Sequence, residues 1–156
     1  MKAAHTKFWQ TSDAILILFV PLTLLASWFL PLPGKVLLDF SWLRVAGSLL
    51  IICGLLLIGA ARRQLQKQAQ PAGPGKPTTE LLTTGVFRLS RNPIYLGIIL
   101  IYAGLGLAFT APWFLIFAGL TVAVFNIVLI GPEEKYLAEK FGEDYEALRS
   151  SVRRWI

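Results

Sequence analysis

The sequence predicts an all-α integral membrane protein that crosses the bilayer about four times and ends in an amphipathic helix. Hydrophobic residues make up 55% of the 156 residues, above the roughly 45–50% of soluble domains. Charged residues are absent from residues 14–34, 45–61 and 94–130. Because a spanning helix needs roughly 20 apolar residues, the first two stretches each fit one crossing and the third fits two crossings.

These stretches and the residues that interrupt them predict a single membrane domain with helices over residues 13–30, 42–61, 93–109 and 112–130. Pro93 stands where a helix's first turn favours proline. Residues 110–112 form a very short turn, so the last two helices are predicted to pair as an antiparallel hairpin. Gly131 and Pro132 predict that the fourth helix ends there. Five glycines are predicted to be close-packing contacts between helices: Gly54, Gly59, Gly97, Gly104 and Gly106.

Two polar regions flank the hairpin. Residues 62–92 are predicted to be a long loop because prolines and glycines crowd residues 71–77, although residues 64–70 also suit an extension of the second helix. In the tail, residues 133–156, Leu137, Phe141 and Tyr145 recur at helical spacing between charged residues. The tail is therefore predicted to be an amphipathic helix that lies on the membrane or packs under the loop, with a candidate interruption at Gly142.

Charge predicts the orientation of the chain. The formal net charge is +6, and under a four-helix count only Lys35 and Arg44 are basic residues of the opposite face. The positive-inside rule places both termini and the long loop in the cytoplasm, and we expect a prokaryotic inner membrane. The basic residues flank apolar segments, so anionic membrane lipids, and no nucleic acid, are the expected partners. The single cysteine, Cys53, and the single histidine, His5, exclude a disulfide framework within the chain and a His/Cys zinc site.

Candidate chemistry lies in two segments, residues 85–97 and residues 133–137. The first brings two arginines, an asparagine and a tyrosine to the mouth of the third helix, namely Arg88, Arg91, Asn92 and Tyr95. The second carries Glu133 and Glu134 at the end of the fourth helix. Paired helices bring these ends to one membrane face, so the arginines and glutamates are expected to meet. Taken alone, the arginines also fit anchors to lipid phosphates and the glutamates fit a solvated helix start.

The two segments together carry a family resemblance. Arg-Asn-Pro-Ile-Tyr-Leu-Gly at 91–97 is followed by an apolar hairpin, by Glu-Glu-x-x-Leu-x-x-x-Phe-Gly-x-x-Tyr at 133–145 and by Val-Arg-Arg-Trp-Ile at 152–156. This order resembles the isoprenylcysteine carboxyl methyltransferase family and its phospholipid methyltransferase relatives. The resemblance covers roughly residues 78–156, half of the chain. It implies a membrane methyltransferase that uses S-adenosylmethionine without a Rossmann domain.

The resemblance also implies which residues act. Arg91, Glu133 and Glu134 would be catalytic, with Arg91 near the acceptor. The cofactor pocket would be lined by Thr79, Glu80, Leu81, Leu82, Phe87, Asn92, Pro93, Ile94, Tyr95 and Glu133, and no metal is implied. Two departures bear on the acceptor. Asn92 stands where the common pattern has a histidine, and asparagine forms hydrogen bonds but does not titrate. The arginine that some relatives carry before the glutamate pair is absent from residues 129–132.

The predicted function is therefore methyl transfer from S-adenosylmethionine to a lipophilic acceptor that enters from the bilayer. The acceptor group is the carboxylate of a prenylcysteine-like molecule or a lipid amine. A small four-helix transporter is one alternative, although such proteins usually need an ionisable residue within the membrane and the apolar stretches here have none. A non-catalytic interaction module, binding through the basic loop and the tail, is the other. The sequence leaves the oligomeric state open.

Overall fold

The computed structural model describes residues 12–34, 38–68 and 80–156, and these residues fold into helices without a β-strand. Within these ranges the α-helices are α1 (Ser12–Phe29), α2 (Ser41–Lys67), α3 (Pro93–Ala108), α4 (Pro112–Val124), α5 (Gly131–Phe141) and α6 (Glu143–Ser151). A 3-10 helix (Gly85–Arg88) precedes α3, and a π-helical segment (Phe125–Ile130) joins α4 to α5. The predicted all-α fold class is confirmed. Thr79 and the proline-rich residues 71–77 lie outside the described residues.

Length and hydropathy mark the helices that suit a membrane. Three helical stretches among the described residues are long and apolar enough to cross a bilayer: Ser12–Phe29, Ser41–Lys67 and Pro112–Phe141. α3 is also apolar but has 16 residues, so it is about 24 Å long. Large apolar side chains on α1 and α2, such as Trp28 and Leu56, are exposed, as lipid-facing side chains are. The chain is a polytopic membrane protein.

α2 and α3 pack directly against each other through facing glycines. A Cβ atom added to Gly47 would lie 2.7 Å from the carbonyl oxygen of Gly104, and one added to Gly54 would lie 2.6 Å from that of Gly97. Only glycine permits such close approach of two backbones, which is how helices associate in lipid. The close-packing prediction is confirmed for Gly54, Gly97 and Gly104. It is also confirmed for Gly106, which packs against a leucine of α4. It is wrong for Gly59, since a Cβ atom added there would have no atom of another helix within 4 Å among the described residues.

The predicted end of the fourth helix at residue 130 is wrong, because the helix continues without a break from Pro112 to Phe141. The amide of Gly131 donates to the carbonyl of Asn126, five residues earlier, as in a π-helix. Pro132 has no N–H and would interrupt α-helical bonding, and the wider turn lets the helix continue past it. Glu133 and Glu134 therefore lie one turn further along the same rigid helix rather than in a separate surface helix.

The other helix boundaries lie close to the predicted ones, with one exception. α2 continues past residue 61 to Lys67, which confirms the alternative of an extended second helix as far as that residue, because residues 62–67 are mostly good helix formers and the helix can leave the membrane intact. The tail consists of two pieces, since α5 belongs to the fourth helix and Gly142, with φ of 53°, separates it from α6. Residues of α6 and Val152 pack against Leu81, so this helix packs on the segment before α3, the second of the two predicted arrangements.

Candidate functional site

The entry to α3 is hydrogen-bonded to the C-terminal segment, residues 152–156. The side chains of Ser90 and Asn92 both donate to the carbonyl oxygen of Arg154, each at 3.1 Å. The amide of Arg91 donates to the carbonyl oxygen of Arg153, also at 3.1 Å. Ser90 is fully buried, and its hydroxyl also accepts the amide hydrogen of Asn92. The last residues of the chain are therefore built into the region where the sequence predicts the site.

Four side chains form a charged cluster under this entry, which we call the Glu134 cluster: Arg91, Glu134, Tyr145 and Arg154. Arg91 Nη1 lies 3.2 Å from Glu134 Oε1 and donates to the hydroxyl of Tyr145 at 3.0 Å. Arg154 donates to both oxygens of the same carboxylate, from Nε at 3.1 Å and from Nη2 at 2.7 Å. A bidentate contact of this kind is the strongest form of arginine–carboxylate pairing. The expected meeting of arginine and glutamate thus occurs, through Arg91 and Glu134.

The cluster is largely withdrawn from water. The side chains of Arg91 and Glu134 are 10% and 15% exposed, whereas that of Arg154 is 39% exposed. Burial raises the pKa of Tyr145, and the charge of Glu134 adds to this while Arg91 opposes it, so the phenol stays neutral and accepts the bond from Arg91. The hydrogen bond to Glu134 raises the pKa of Arg154. Two cationic side chains share one carboxylate here, so the cluster carries a net positive charge.

Glu133 and Tyr95 form a second contact beside the Glu134 cluster. The hydroxyl of Tyr95 donates to Glu133 Oε2 at 3.4 Å, and the Tyr95 ring lies 5.1 Å from the ring of Phe125, which is fully buried. Tyr95 belongs to the first turn of α3 and Glu133 to the first turn of α5. The two adjacent glutamates of α5 thus contact different partners, Glu133 in the first turn of α3 and Glu134 in the segment before it.

The 3-10 helix before α3 is held against α2. The amide nitrogen of the Gln64 side chain donates to the carbonyl and the hydroxyl of Thr84, at 2.7 and 2.8 Å. Gly85, with φ of 58°, follows directly and starts the helix that carries Phe87, which is half-buried. Gln64, which lies beyond residue 61 in the extension of α2, therefore helps to position the aromatic residue that the resemblance assigns to the cofactor pocket.

The remaining predicted site residues lie around this centre. Glu80 is exposed, Leu81 packs against α6, Leu82 and Pro93 are buried, and Ile94 packs against the main core. Thr79 lies outside the described residues. The structure brings Arg91, Asn92, Tyr95, Glu133 and Glu134 together, whereas Glu80 makes no polar contact with them among the described residues. The roles assigned to all of these residues stay predictions.

Arg88 does not join the glutamates. Its side chain is exposed and forms no ion pair within the described ranges. It lines a surface groove of about 430 Å³, together with Thr83 and residues of α6 that include Asp144. This groove contains none of the predicted catalytic residues. Of the two arginines at the mouth of α3, only Arg91 enters the buried charged site.

Three residues of the site carry no predicted role. Tyr145 is predicted as part of an apolar helix face and ends the motif at 133–145, but no role is assigned to it, and its hydroxyl accepts a hydrogen bond from Arg91. Arg154 belongs to a segment of the family resemblance, but that resemblance assigns it no function. Ser90 stands between two predicted site residues and is a small polar residue without a charge. For Arg154 the sequence does carry a signal. The tail has two adjacent arginines, Arg153 and Arg154, and a second cation suits the second of the two adjacent glutamates.

A known protein family matches most of the helices described above. Residues 42–144 match the model of the phospholipid methyltransferase family, which is more than half of the chain. The match covers α2 to α5, including Arg91, Tyr95, Glu133 and Glu134, and ends before Tyr145 and Arg154. No match to a curated protein or to a solved structure was found.

Proposed function

Because this chain belongs to the phospholipid methyltransferase family of membrane methyltransferases, we propose that it transfers a methyl group from S-adenosylmethionine to a lipophilic acceptor within the bilayer. The observation that carries the proposal is the buried contact of the α3 entry with the start of α5. There Arg91 meets Glu134, and Tyr95 meets Glu133. Such convergence of charged groups at the membrane boundary suits a polar cofactor and an acceptor that is anchored in lipid.

The residues present fit S-adenosylmethionine. Its ribose hydroxyls and ammonium group need hydrogen-bond acceptors, and the carboxylate of Glu133 beside Tyr95 is one. Its carboxylate needs donors, and the side-chain amide of Asn92 has a second N–H beside the one that it donates to the carbonyl oxygen of Arg154. Its adenine and sulfonium suit aromatic faces, which Phe87 and Tyr95 offer. We assign the cofactor to the Phe87, Asn92, Tyr95 and Glu133 side of the site, with Thr79–Leu82 as a further candidate lining segment.

The bound cofactor supplies an electrophilic methyl group on a sulfonium. The chain's own residues then have to orient the acceptor and keep water away, since the displacement needs an in-line approach. Arg91 can hold an anionic acceptor group through paired N–H donors. Where the acceptor is an amine, a carboxylate must take its proton, and Glu133 is close enough to the α3 entry for this role.

The acceptor is proposed as a lipid amine or the carboxylate of a prenylcysteine-like molecule. The family name supports a phospholipid, whereas the net positive charge of the Glu134 cluster suits an acceptor that carries an anionic group. A phospholipid amine meets both conditions, because a phosphate stands near its amine. The acceptor enters sideways from the bilayer, and the site, the loop and both termini face the cytoplasm, where anionic lipids attract the basic residues.

Two measurements test the proposal. Titration calorimetry of the purified protein with S-adenosylhomocysteine tests the cofactor site. Transfer of a labelled methyl group from S-adenosylmethionine tests the activity, with two acceptors: vesicles of phosphatidylethanolamine and phosphatidylcholine, and N-acetyl-S-farnesylcysteine in detergent. We expect binding and label in one of the two acceptors. The proposal would be overturned if S-adenosylhomocysteine did not bind, or if neither acceptor received the labelled methyl group.

A matched pair of variants locates the activity in the site. Arg91→Gln removes the buried arginine, and we expect methyl transfer to fall about 100-fold because the acceptor is misplaced. Arg88→Gln removes an exposed arginine three residues earlier and should leave the transfer rate unchanged. Equal losses in both variants would mean that the charge of the loop, and not the site, supports activity.

A further inference from the structure

We propose that Arg154 is a positioning residue, which fixes the carboxylate of Glu134 and thereby leaves Arg91 directed toward the acceptor. The inference deepens the proposed function and rests on it. Arg154 lies beyond residues 42–144, the part of the chain that matches the family. Its role therefore has to be argued from its own contacts.

Arg154 and Arg91 use their nitrogen atoms differently. Arg154 commits Nε and Nη2 to Glu134, and Nη1 lies 3.4 Å from the side-chain oxygen of Asn126. Arg91 contacts Glu134 and Tyr145 through Nη1 alone, and its buried Nε has no hydrogen-bond partner among the described residues. All three nitrogen positions of Arg154 are thus occupied by the protein. Arg91, in contrast, keeps one buried nitrogen, Nε, as a donor for a ligand.

The sharing of Glu134 connects the two arginines. Glu134 Oε1 is contacted by Arg91 Nη1 at 3.2 Å and by Arg154 Nε at 3.1 Å, while Oε2 is contacted by Arg154 Nη2 at 2.7 Å. Without Arg154 the carboxylate loses its bidentate partner, and Arg91 becomes its only cationic neighbour among the described residues. A free carboxylate then rotates onto Arg91 and neutralises the group that is proposed to bind the acceptor. The second arginine prevents this by occupying the carboxylate itself.

The side chain of Arg154 is not what holds the C-terminal segment in place. That segment is bound through backbone carbonyls, which accept from Ser90, Asn92 and the amide of Arg91. Val152 is buried in the cluster formed with α6, and Trp155 packs against the main core. These contacts remain when only the guanidinium is removed. A substitution of Arg154 therefore changes the carboxylate while the segment stays docked.

The test compares Arg154→Gln with Arg153→Gln, which removes an exposed arginine from the same segment. Methyl transfer is measured with the acceptor, vesicle or farnesylcysteine, that the unmodified protein labels, and S-adenosylhomocysteine affinity is measured by calorimetry. For Arg154→Gln we expect kcat/KM for the acceptor to fall about 10- to 100-fold. We expect the Kd for S-adenosylhomocysteine to stay within about twofold, because the cofactor lies on the Glu133 side. Arg153→Gln should match the unmodified protein in both measurements.

Two further variants separate positioning from a structural role. Arg154→Lys keeps the charge but cannot contact both carboxylate oxygens in the arginine geometry, so we expect only partial recovery of kcat/KM. It also carries the test if Arg154→Gln fails to fold. In the Glu134→Gln background, Arg154→Gln should cause little further loss, because both act through one carboxylate.

The outcomes distinguish the two proposals. If the unmodified protein labels neither acceptor, the proposed function fails and this inference fails with it. If the unmodified protein is active but Arg154→Gln equals Arg153→Gln, only the role of Arg154 is overturned. The same holds if Arg154→Gln weakens S-adenosylhomocysteine binding as much as it lowers kcat/KM, since that pattern indicates general damage to the site.

Discussion

Replacement of Glu134 by glutamine should destabilise the protein substantially. The substitution removes the carboxylate and leaves Arg91, whose side chain is only 10% exposed, as a buried cation without its counter-charge. Loss of one partner from a buried ion pair costs about 3–5 kcal/mol, because the remaining charge stays desolvated. The contact with Arg154 adds little, since that side chain is 39% exposed and water screens it. Glutamine keeps one hydrogen-bond acceptor, so the lower end, about 3 kcal/mol, is the expected value.

Thermal unfolding in detergent measures this change. For a chain of this length, 1 kcal/mol corresponds to a shift in Tm of about 2–4 °C, so Glu134→Gln should lower Tm by about 6–12 °C. Glu146→Gln is the matched control. It removes the same group from α6, where Glu146 and Arg149 form an ion pair 3.4 Å apart with both side chains more than half exposed. An exposed pair contributes about 0.2–1 kcal/mol, which predicts a shift of at most about 4 °C.

The comparison of the two variants decides whether the reasoning is right. Equal shifts in Tm would show that the ion pairs of Glu134 are no better shielded from water than the ion pair of Glu146. That result would refute the buried cluster. A second substitution, Arg91→Met, should restore the Tm of the Glu134→Gln variant. Removal of both charges eliminates the unpaired cation, and a well-packed apolar side chain can replace a buried ion pair at little cost.

Two other predictions concern the helix interface and the tyrosine of the cluster. Gly104→Ala should lower stability by about 1–3 kcal/mol, because its Cβ would lie 2.6 Å from the carbonyl oxygen of Gly47, whereas Gly59→Ala should be neutral or stabilising since its surroundings are open. Thermal unfolding of the two variants side by side checks this, and equal effects would contradict the packing described. Tyr145→Phe should cost about 1.5 kcal/mol through loss of the bond to Arg91. Because the folded pKa of Tyr145 is raised, its contribution falls as pH rises above about 10, the unfolded pKa. The Tm difference from Tyr145→Phe should therefore shrink between pH 8 and pH 11, and a difference that grows with pH would contradict the raised pKa.

The helices and their pairing could be predicted because lipid imposes a simple pattern. Long uncharged stretches mark the membrane-spanning helices, and the three-residue turn between the last two helices requires them to pair. The same logic correctly brought Arg91 and Glu134 to one place. Facing glycines could be proposed for the same reason, although sequence does not say which glycines have a partner, and Gly59 has none within contact distance.

The end of the fourth helix could not be predicted, because Gly131-Pro132 is a normal helix breaker by local rules. Its outcome depends on whether the preceding residues can widen their turn, and the tightly packed Phe125, Leu129 and Ile130 stabilise that turn through tertiary contacts. The contacts of Arg154 could not be predicted either. Its partners lie 20 or more positions away in sequence, and only the docking of the C-terminal segment brings them together.

The shortness of α3 has a consequence for the lipid environment that the protein prefers. At about 24 Å it is shorter than a hydrocarbon core of about 30 Å, while its neighbours are longer. α3 packs closely on α2 through facing glycines, and local thinning of the bilayer where α3 meets it would accommodate the difference in length. The protein should therefore be sensitive to the acyl-chain length of its lipids. Vesicles of shorter-chain lipids should accommodate α3 with a lower free-energy cost of bilayer deformation than vesicles of longer-chain lipids.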